Sequence, residues 1–258
     1  MPIADPIEIR KKIAQVPWYH QFEIAPGIRT PGVHRFDPAP FLDGWNIPQD
    51  LRGQRALDIG TWDGPLAFEL ERRGAEVIAA DIQDPLHTGF STAKEILGSR
   101  VEYVRTSVYD LEKSVCGRFD LVCYLGVFYH LKHPILGFEA IQAVMADSAS
   151  LLFEGACLLN YAERMDGLRV EGTELDAVRK LAYSDVPLTA CYPGKYTNAS
   201  NWFIPNLACI RSWLTAAGLS LEHHYLMDGP ERDPFPLHRV AGIAKKVRPT
   251  AVEEHPLV

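Results

Sequence analysis

The chain has 258 residues, 47% of them hydrophobic and 23% charged, with a formal net charge of −7. That composition suits a folded chain with a sizeable core and excludes a low-complexity or collagen-like polymer. The acidic balance argues against a nucleic-acid partner, without excluding one held by a local basic groove, and favours a small molecule.

Asp5 to Val16 reads as a short amphipathic helix, with Ile7, Ile9, Ile13 and Val16 available for one face. Trp18 to Ile24, and a passage through Pro26, Gly27, Pro31, Gly32, Pro38 and Pro40, read as poor in regular structure. Residues 1–50 are therefore expected to form a cap leaning on a catalytic domain, 51–258. From Arg55 onward, apolar runs at Ala56–Ile59, Val77–Ala80, Val101–Val104, Leu121–Leu125 and Leu151–Phe153 alternate with helical segments at Gly64–Arg73, Ser91–Leu97 and Ile135–Met145. A helix over Ile210–Ala217 and strands over Leu219–Leu226 and Arg239–Lys245 complete the pattern. The alternation predicts an α/β fold, a mostly parallel seven-stranded sheet with helices on both faces. After the fifth strand, residues 155–205 leave about fifty positions, more than a connection requires, and are expected to form part of an acceptor pocket.

Five cysteines, Cys116, Cys123, Cys157, Cys191 and Cys209, are odd in number and lack C-x-x-C spacing. That argues against a disulfide framework and fits a reducing cytoplasm. Residues 1–12 mix charges without a long apolar run, so no signal peptide is expected. No stretch reaches the ~18 uninterrupted apolar residues of a membrane span, and a cytoplasmic protein is expected.

Ala56-Leu57-Asp58-Ile59-Gly60-Thr61-Trp62-Asp63-Gly64 is an apolar strand running into a glycine turn, and Val77-Ile78-Ala79-Ala80-Asp81 is a second strand ending in an acid. This order is how a Rossmann-like βαβ unit sets a nucleoside against the carboxyl edge of a parallel sheet. Gly60 and Gly64 let the backbone approach a ligand. Trp62 stands where the dinucleotide fingerprint G-x-G-x-x-G has its second glycine, which makes a poor seat for a pyrophosphate. A cofactor without phosphates fits better. Asp58, Gly60, Thr61 and Gly64 are expected to hold the amino-acid end of S-adenosylmethionine.

Asp81 is placed to accept hydrogen bonds from both ribose hydroxyls, with Ile82 against the adenine; the bland alternative is a solvated loop acid. Ser107 and Val108 follow the third strand and are placed to bracket the adenine edge, unless Ser107 is only a turn residue. Leu125 and Gly126 end the fourth strand, beside the expected sulfonium. Tyr129 is expected to point at the cofactor, and His130 is either a general base or a loop residue bound to backbone. In the cap, His20 and His34 sit with Trp18 and Tyr19, where aromatic faces attract a sulfonium. Trp18 and Phe22 read better as anchors of the cap. His223 and His224 alternate on a late strand, so at most one faces a site. No H-x-x-H or H-E-x-x-H spacing supports a metal, and none is expected.

Leu57-Asp58-Ile59-Gly60, Asp81, Leu125-Gly126-Val127-Phe128-Tyr129-His130-Leu131 and Asn201-Trp202-Phe203-Ile204-Pro205-Asn206 together resemble class I S-adenosylmethionine-dependent methyltransferases. They are most similar to the branch containing the tRNA wobble-uridine carboxymethyltransferase, over about Gly53 to Lys245. The resemblance implies the class I methyltransferase fold, S-adenosylmethionine as donor and S-adenosylhomocysteine as product. In that branch carboxy-S-adenosylmethionine is held through its extra carboxylate by a lysine, a tyrosine and an arginine. The tyrosine falls on Tyr129 and the arginine on Arg239, while His20 takes the lysine's place.

A histidine attracts a carboxylate less than an ammonium does. The shorter amino-terminal region and the acidic charge point the same way. The expectation is in-line methyl transfer to a small-molecule acceptor, with Tyr129, His20 or His130 facing the transfer site. Lys195, Tyr196, Asn201, Trp202 and Arg239 are the expected acceptor contacts. Carboxymethyl transfer to a tRNA wobble uridine is the alternative. An NAD-dependent oxidoreductase and a non-catalytic cofactor-binding scaffold are the readings from other classes.

Overall fold

The apolar runs pair into a single sheet in the computed structural model, which describes residues 5–196, 201–227 and 238–247, with backbone alone for 193–196. Its strands are β1 (Arg55–Ile59), β2 (Glu76–Asp81), β3 (Glu102–Arg105), β4 (Phe119–Leu125), β5 (Met145–Ala156), β6 (Leu219–Met227) and β7 (Arg239–Lys246). Their order is β6-β7-β5-β4-β1-β2-β3. β1, β2 and β3 pair in parallel, whereas β7 runs antiparallel to both β5 and β6. Parallel strands are buried on both faces and need near-continuous apolar sequence. β1 and β2 supply it: Ala56, Leu57, Ile59, Val77, Ile78, Ala79 and Ala80 are all buried. The chain moves outward from β1 to β3, then returns to the other side of β1. Such a reversal places a ligand crevice at the carboxyl end of β1.

Contacts divide the chain into two compact units, Met1–Cys123 and Tyr124–Val258. In the first unit the amino-terminal segment is more regular than its prolines and glycines suggest. A helix over Pro6–Ile13, capped by Asp5, is followed by short strands at His20–Gln21, Glu23–Ala25, Ile28–Arg29 and His34–Arg35, then by a helix over Pro38–Gly44. Pro6 and Pro38 open their helices, where a missing N–H leaves nothing unpaired. The first helix stops short of Val16; Ile9 and Ile13 are buried, and Ile7 is exposed. Trp18 acts as an anchor: its indole N–H donates to the Ile13 carbonyl at 2.7 Å, and its ring lies against Gly89, where a Cβ would meet it at 2.3 Å. Phe22 is buried beside it.

The helix Pro65–Arg72 grips this segment through the residue that ends it. The buried guanidinium of Arg73 donates to Glu69, Asp43 and the carbonyls of Ala39 and Ile47, at 2.8 to 3.0 Å. Glu69 is itself buried.

In the second unit the long connection after β5 folds into a helix, Gly172–Ala182, and an antiparallel hairpin of Thr189–Tyr196 with Asn201–Pro205. Buried Asn206 sews it together. Its oxygen accepts the N–H groups of Leu188 and Cys209, capping the helix Leu207–Ala216, and its amide nitrogen donates to the carbonyls of Leu181 and Val186. Among the described residues no helix is long and apolar enough to cross a membrane.

Removing Arg73 takes from buried Glu69 its only buried cationic partner among the described residues, leaving it to exposed Arg72, and strips the Ala39 and Ile47 carbonyls of their donor. Arg73→Ala is expected to lower stability by about 3–5 kcal/mol in chemical denaturation. Exposed Arg72, which also bonds Glu69, should lose less than about 1 kcal/mol on the same truncation.

Candidate active site

In the first unit the predicted residues converge on the turn after β1. Gly60 adopts φ 77° and Gly64 φ 85°. A Cβ on Gly64 would come within 2.7 Å of the rings of Phe68 and Phe90, so torsion and space both demand glycine there. Between them Trp62 adopts φ 50°, the left-handed torsion a glycine would ordinarily supply. It is held there from both sides. Its N–H donates to Asp81 Oδ2 at 2.9 Å, and its carbonyl accepts from the Thr88 hydroxyl at 3.0 Å. The turn thus keeps a glycine-loop backbone while carrying an indole that rests 5.8 Å from the Tyr19 ring.

Three buried aspartates surround this turn: Asp58, Asp63 and Asp81. Asp63, which sequence reasoning did not single out, accepts the N–H groups of Tyr19 and His20 on Oδ2, each at 2.9 Å. Its Oδ1 pairs with His20 Nδ1. Asp81 accepts the N–H groups of Trp62 and Gln83, each at 2.9 Å, and is not a solvated loop acid. Each of its oxygens keeps acceptor capacity for a ribose hydroxyl.

Asp58 differs. Neither its Oδ2 nor the neighbouring Thr61 Oγ1 has a hydrogen-bond partner, although both are buried. Burial pushes the Asp58 carboxyl up to about 6, against a downward pull from the Thr61 hydroxyl and His20 and with a further push from Asp81. A buried carboxyl with one oxygen left bare suits a cation, because an ammonium placed beside it would restore its charged form. These residues therefore fit the amino-acid end of S-adenosylmethionine. Ile82, 63% exposed beside Asp81, offers an open apolar face where adenine is expected.

After β3 come Ser107 and Val108. The Ser107 hydroxyl accepts the Tyr109 N–H at 3.3 Å and caps the turn Val108–Asp110, while Val108 is buried. Ser107 thus has a local turn role, which leaves the expectation for its backbone at the adenine edge untouched.

In the second unit, buried Tyr129 accepts a hydrogen bond from Arg239 Nη2 at 3.4 Å. Arg239 is also bonded through Nε and Nη2 to the carboxylate of Glu154, the latter at 2.7 Å. Burial opposes the charge on Arg239, but Glu154 outweighs it and holds the guanidinium well above its ordinary pKa. Gly126, at φ 73°, stands against this pair: a Cβ there would meet Tyr129 Oη at 3.8 Å and Arg239 Nη2 at 4.0 Å. The preceding Leu125 is half-buried. The His130 ring packs 4.3 Å from that of Tyr129, and its backbone N–H donates to the Val127 carbonyl. Asn201 is buried, and Lys132 Nζ sits 4.7 Å above the Trp202 ring. The side chains of Lys195 and Tyr196 lie outside the described residues. Glu154 carried a readable signal: it is a charge following directly on the apolar run Leu151–Phe153.

Residues 40–224 match the methyltransferase domain family. The chain belongs to that family, and its sheet order is that of the class I methyltransferase fold. It is similar to the ubiquinone biosynthesis O-methyltransferase of Acinetobacter baylyi, 27% identical over 152 residues that cover 58% of this chain and 61% of that one. It is also similar to the tRNA U34 carboxymethyltransferase of Pseudomonas aeruginosa, 29% identical over 174 residues that cover 66% of this chain and 46% of that one. The matches thus span less than two thirds of either relative. Among solved structures, the N-terminal domain of EvdMO1 in the presence of S-adenosylhomocysteine and D-fucose has the same fold. Its TM-score is 0.63 at 19% identity, over 95% of this chain and 98% of that one.

The raised Asp58 carboxyl makes a testable statement about stability. The folded chain keeps a proton that the unfolded chain releases from about pH 4, so stability falls as pH rises from about 4 to about 6 and stays lower above that. Asp58→Asn should be about 1–3 kcal/mol more stable than the parent at pH 7 and little different at pH 4, measured by urea denaturation at both.

Proposed function

We propose that this chain transfers an ordinary methyl group from S-adenosylmethionine to a small-molecule acceptor. The donor supplies a methyl carbon activated by a positive sulfur. Asp58 and Thr61 would hold its amino-acid end, Gly60 and Gly64 would admit it against the backbone, and Asp81 and Ile82 would hold the nucleoside. Leu125 and Tyr129 complete the donor contacts proposed here, with Ser107 and Val108 at the adenine. Trp202, Asn201, Lys195 and Tyr196 are proposed for the acceptor, whose nucleophile the protein aligns with the methyl carbon.

One observation carries the choice of an ordinary donor. Two of the three groups that would hold an added carboxylate are each already paired with an acid in their own unit. Arg239 is bonded twice to Glu154, and His20 is bonded to Asp63. A second carboxylate would compete with Glu154 for one guanidinium and repel it at close range. The charge of −7 and the likeness to an O-methyltransferase support a small acceptor. The free thiols fit a cytoplasmic location.

Carboxymethyl transfer to a tRNA wobble uridine is the second reading, favoured by the Tyr129–Arg239 hydrogen bond and the likeness to the tRNA enzyme. Mass spectrometry of donor or product co-purified with the protein separates the two. S-adenosylmethionine or S-adenosylhomocysteine is expected, and a species heavier by a carboxylate would overturn the reading. Glu154→Gln should raise affinity for carboxy-S-adenosylmethionine, relative to S-adenosylmethionine, by about tenfold or more in calorimetry.

A further inference from the structure

We infer that Asp63 is the positioning residue for a general base, His20, and that the acceptor is a hydroxyl-bearing small molecule. The inference rests on the donor reading above and adds the chemical class of the acceptor.

Asp63 is fully buried in the turn that follows β1. Two backbone N–H groups, from Tyr19 and His20, bind its Oδ2 and already tie the amino-terminal segment to the turn. The anchor does not need the imidazole as well, yet Oδ1 faces His20 Nδ1. A carboxylate only accepts hydrogen bonds, so Nδ1 carries the hydrogen, and the tautomer this selects has its lone pair at Nε2. Among the described residues no hydrogen-bond partner stands at Nε2. The ring is packed by Tyr19 at 4.8 Å, Phe36 at 5.7 Å and His34 at 5.9 Å, while 18% of the side chain stays exposed. It also lies close enough to Asp58 to influence that carboxyl, the group assigned to the donor's ammonium. His20 is therefore fixed, oriented, open on one side and next to the donor seat.

A fixed lone pair serves a nucleophile that has to lose a proton. A neutral amine attacks with its own lone pair, whereas a hydroxyl becomes a good nucleophile only as its proton leaves. In the transfer the acceptor O–H proton passes to His20 Nε2 while the oxygen bonds to the methyl carbon. The electron pair of the carbon–sulfur bond stays on sulfur. The positive charge ends on the imidazolium, against the carboxylate of Asp63.

Asp63→Asn separates positioning from anchoring. The amide oxygen has to meet the two backbone N–H groups, which turns the NH2 toward His20 Nδ1. That nitrogen can then only accept, the ring hydrogen moves to Nε2, and the basic lone pair is lost. Imidazole nitrogen NMR on the full chain with S-adenosylhomocysteine reads this directly, with His20→Gln identifying the signals. The parent is expected in the Nδ1–H form and Asp63→Asn in the Nε2–H form, with S-adenosylhomocysteine affinity within about twofold of the parent by calorimetry. With S-adenosylmethionine and a panel of a catechol, a phenol, an alkyl alcohol and a primary amine, the parent should methylate a hydroxyl member. Asp63→Asn and His20→Gln should lower that kcat by about a hundredfold or more, with little change in KM.

An Nε2–H tautomer in the parent overturns the proposal, even if the variant fails to fold. So does an unchanged tautomer in folded Asp63→Asn. Transfer confined to the amine, or no hydroxyl product, overturns the acceptor class. Failure of the parent to bind S-adenosylhomocysteine overturns the donor reading instead.

Discussion

Three carboxyl groups are buried around one turn, and each has to be compensated or left proton-bound. Backbone amides solve the problem for two of them. Asp63 takes the N–H groups of Tyr19 and His20, and Asp81 takes those of Trp62 and Gln83. These bonds fix the path of the amino-terminal segment and hold Trp62 in a torsion that costs a non-glycine residue about 1 kcal/mol or more. Asp58 is left with a bare oxygen and a carboxyl pushed up to about 6. Burial that would be a defect in a purely structural turn would suit a cation seat. The turn is stable without a ligand because two acids are satisfied, and receptive because the third is not.

The same logic of paired charge recurs in the second unit. Glu154 pairs with Ala241 across the β5–β7 ladder, so Arg239, two residues earlier on β7, is its diagonal neighbour and within reach of its carboxylate. The bidentate bond holds the guanidinium beside the Tyr129 hydroxyl and fills much of its donor capacity. An arginine in this condition orients a tyrosine more readily than it captures a new anion. Identity of residue type at a motif position therefore does not carry its electrostatic role. The neighbouring acid decides what the arginine is free to do.

The sheet, its order of elements and the acid at the end of β2 were legible because they are local signals: apolar runs of strand length, glycines at a turn, a carboxylate at a strand end. What escaped reading was either too short or too distant. The two-residue strands around His20 and His34 cannot show a period. The helix Gly172–Ala182 carries only a short apolar stripe, Leu175, Val178 and Ala182, inside a long connection, and buries just Leu175 and Ala182 of it. Asp63 and His20 are 43 residues apart, and Glu154 and Arg239 are 85 apart. No spacing rule connects them, and they are the pairs that decide which of the predicted side chains is free. Trp62 was read as an obstacle to a pyrophosphate, and only its torsion shows that it also does the work of a glycine.

We propose that the Asp58 carboxyl, with its bare Oδ2, seats the ammonium of the nucleoside donor. Calorimetry of S-adenosylhomocysteine binding near pH 5, repeated in buffers of different ionisation enthalpy, counts the protons exchanged on binding. A carboxyl that titrates at about 6 when free and meets a cation when bound should release close to one proton there, and almost none near pH 8. Asp58→Asn should remove the release. Binding with no proton released near pH 5 would contradict the account.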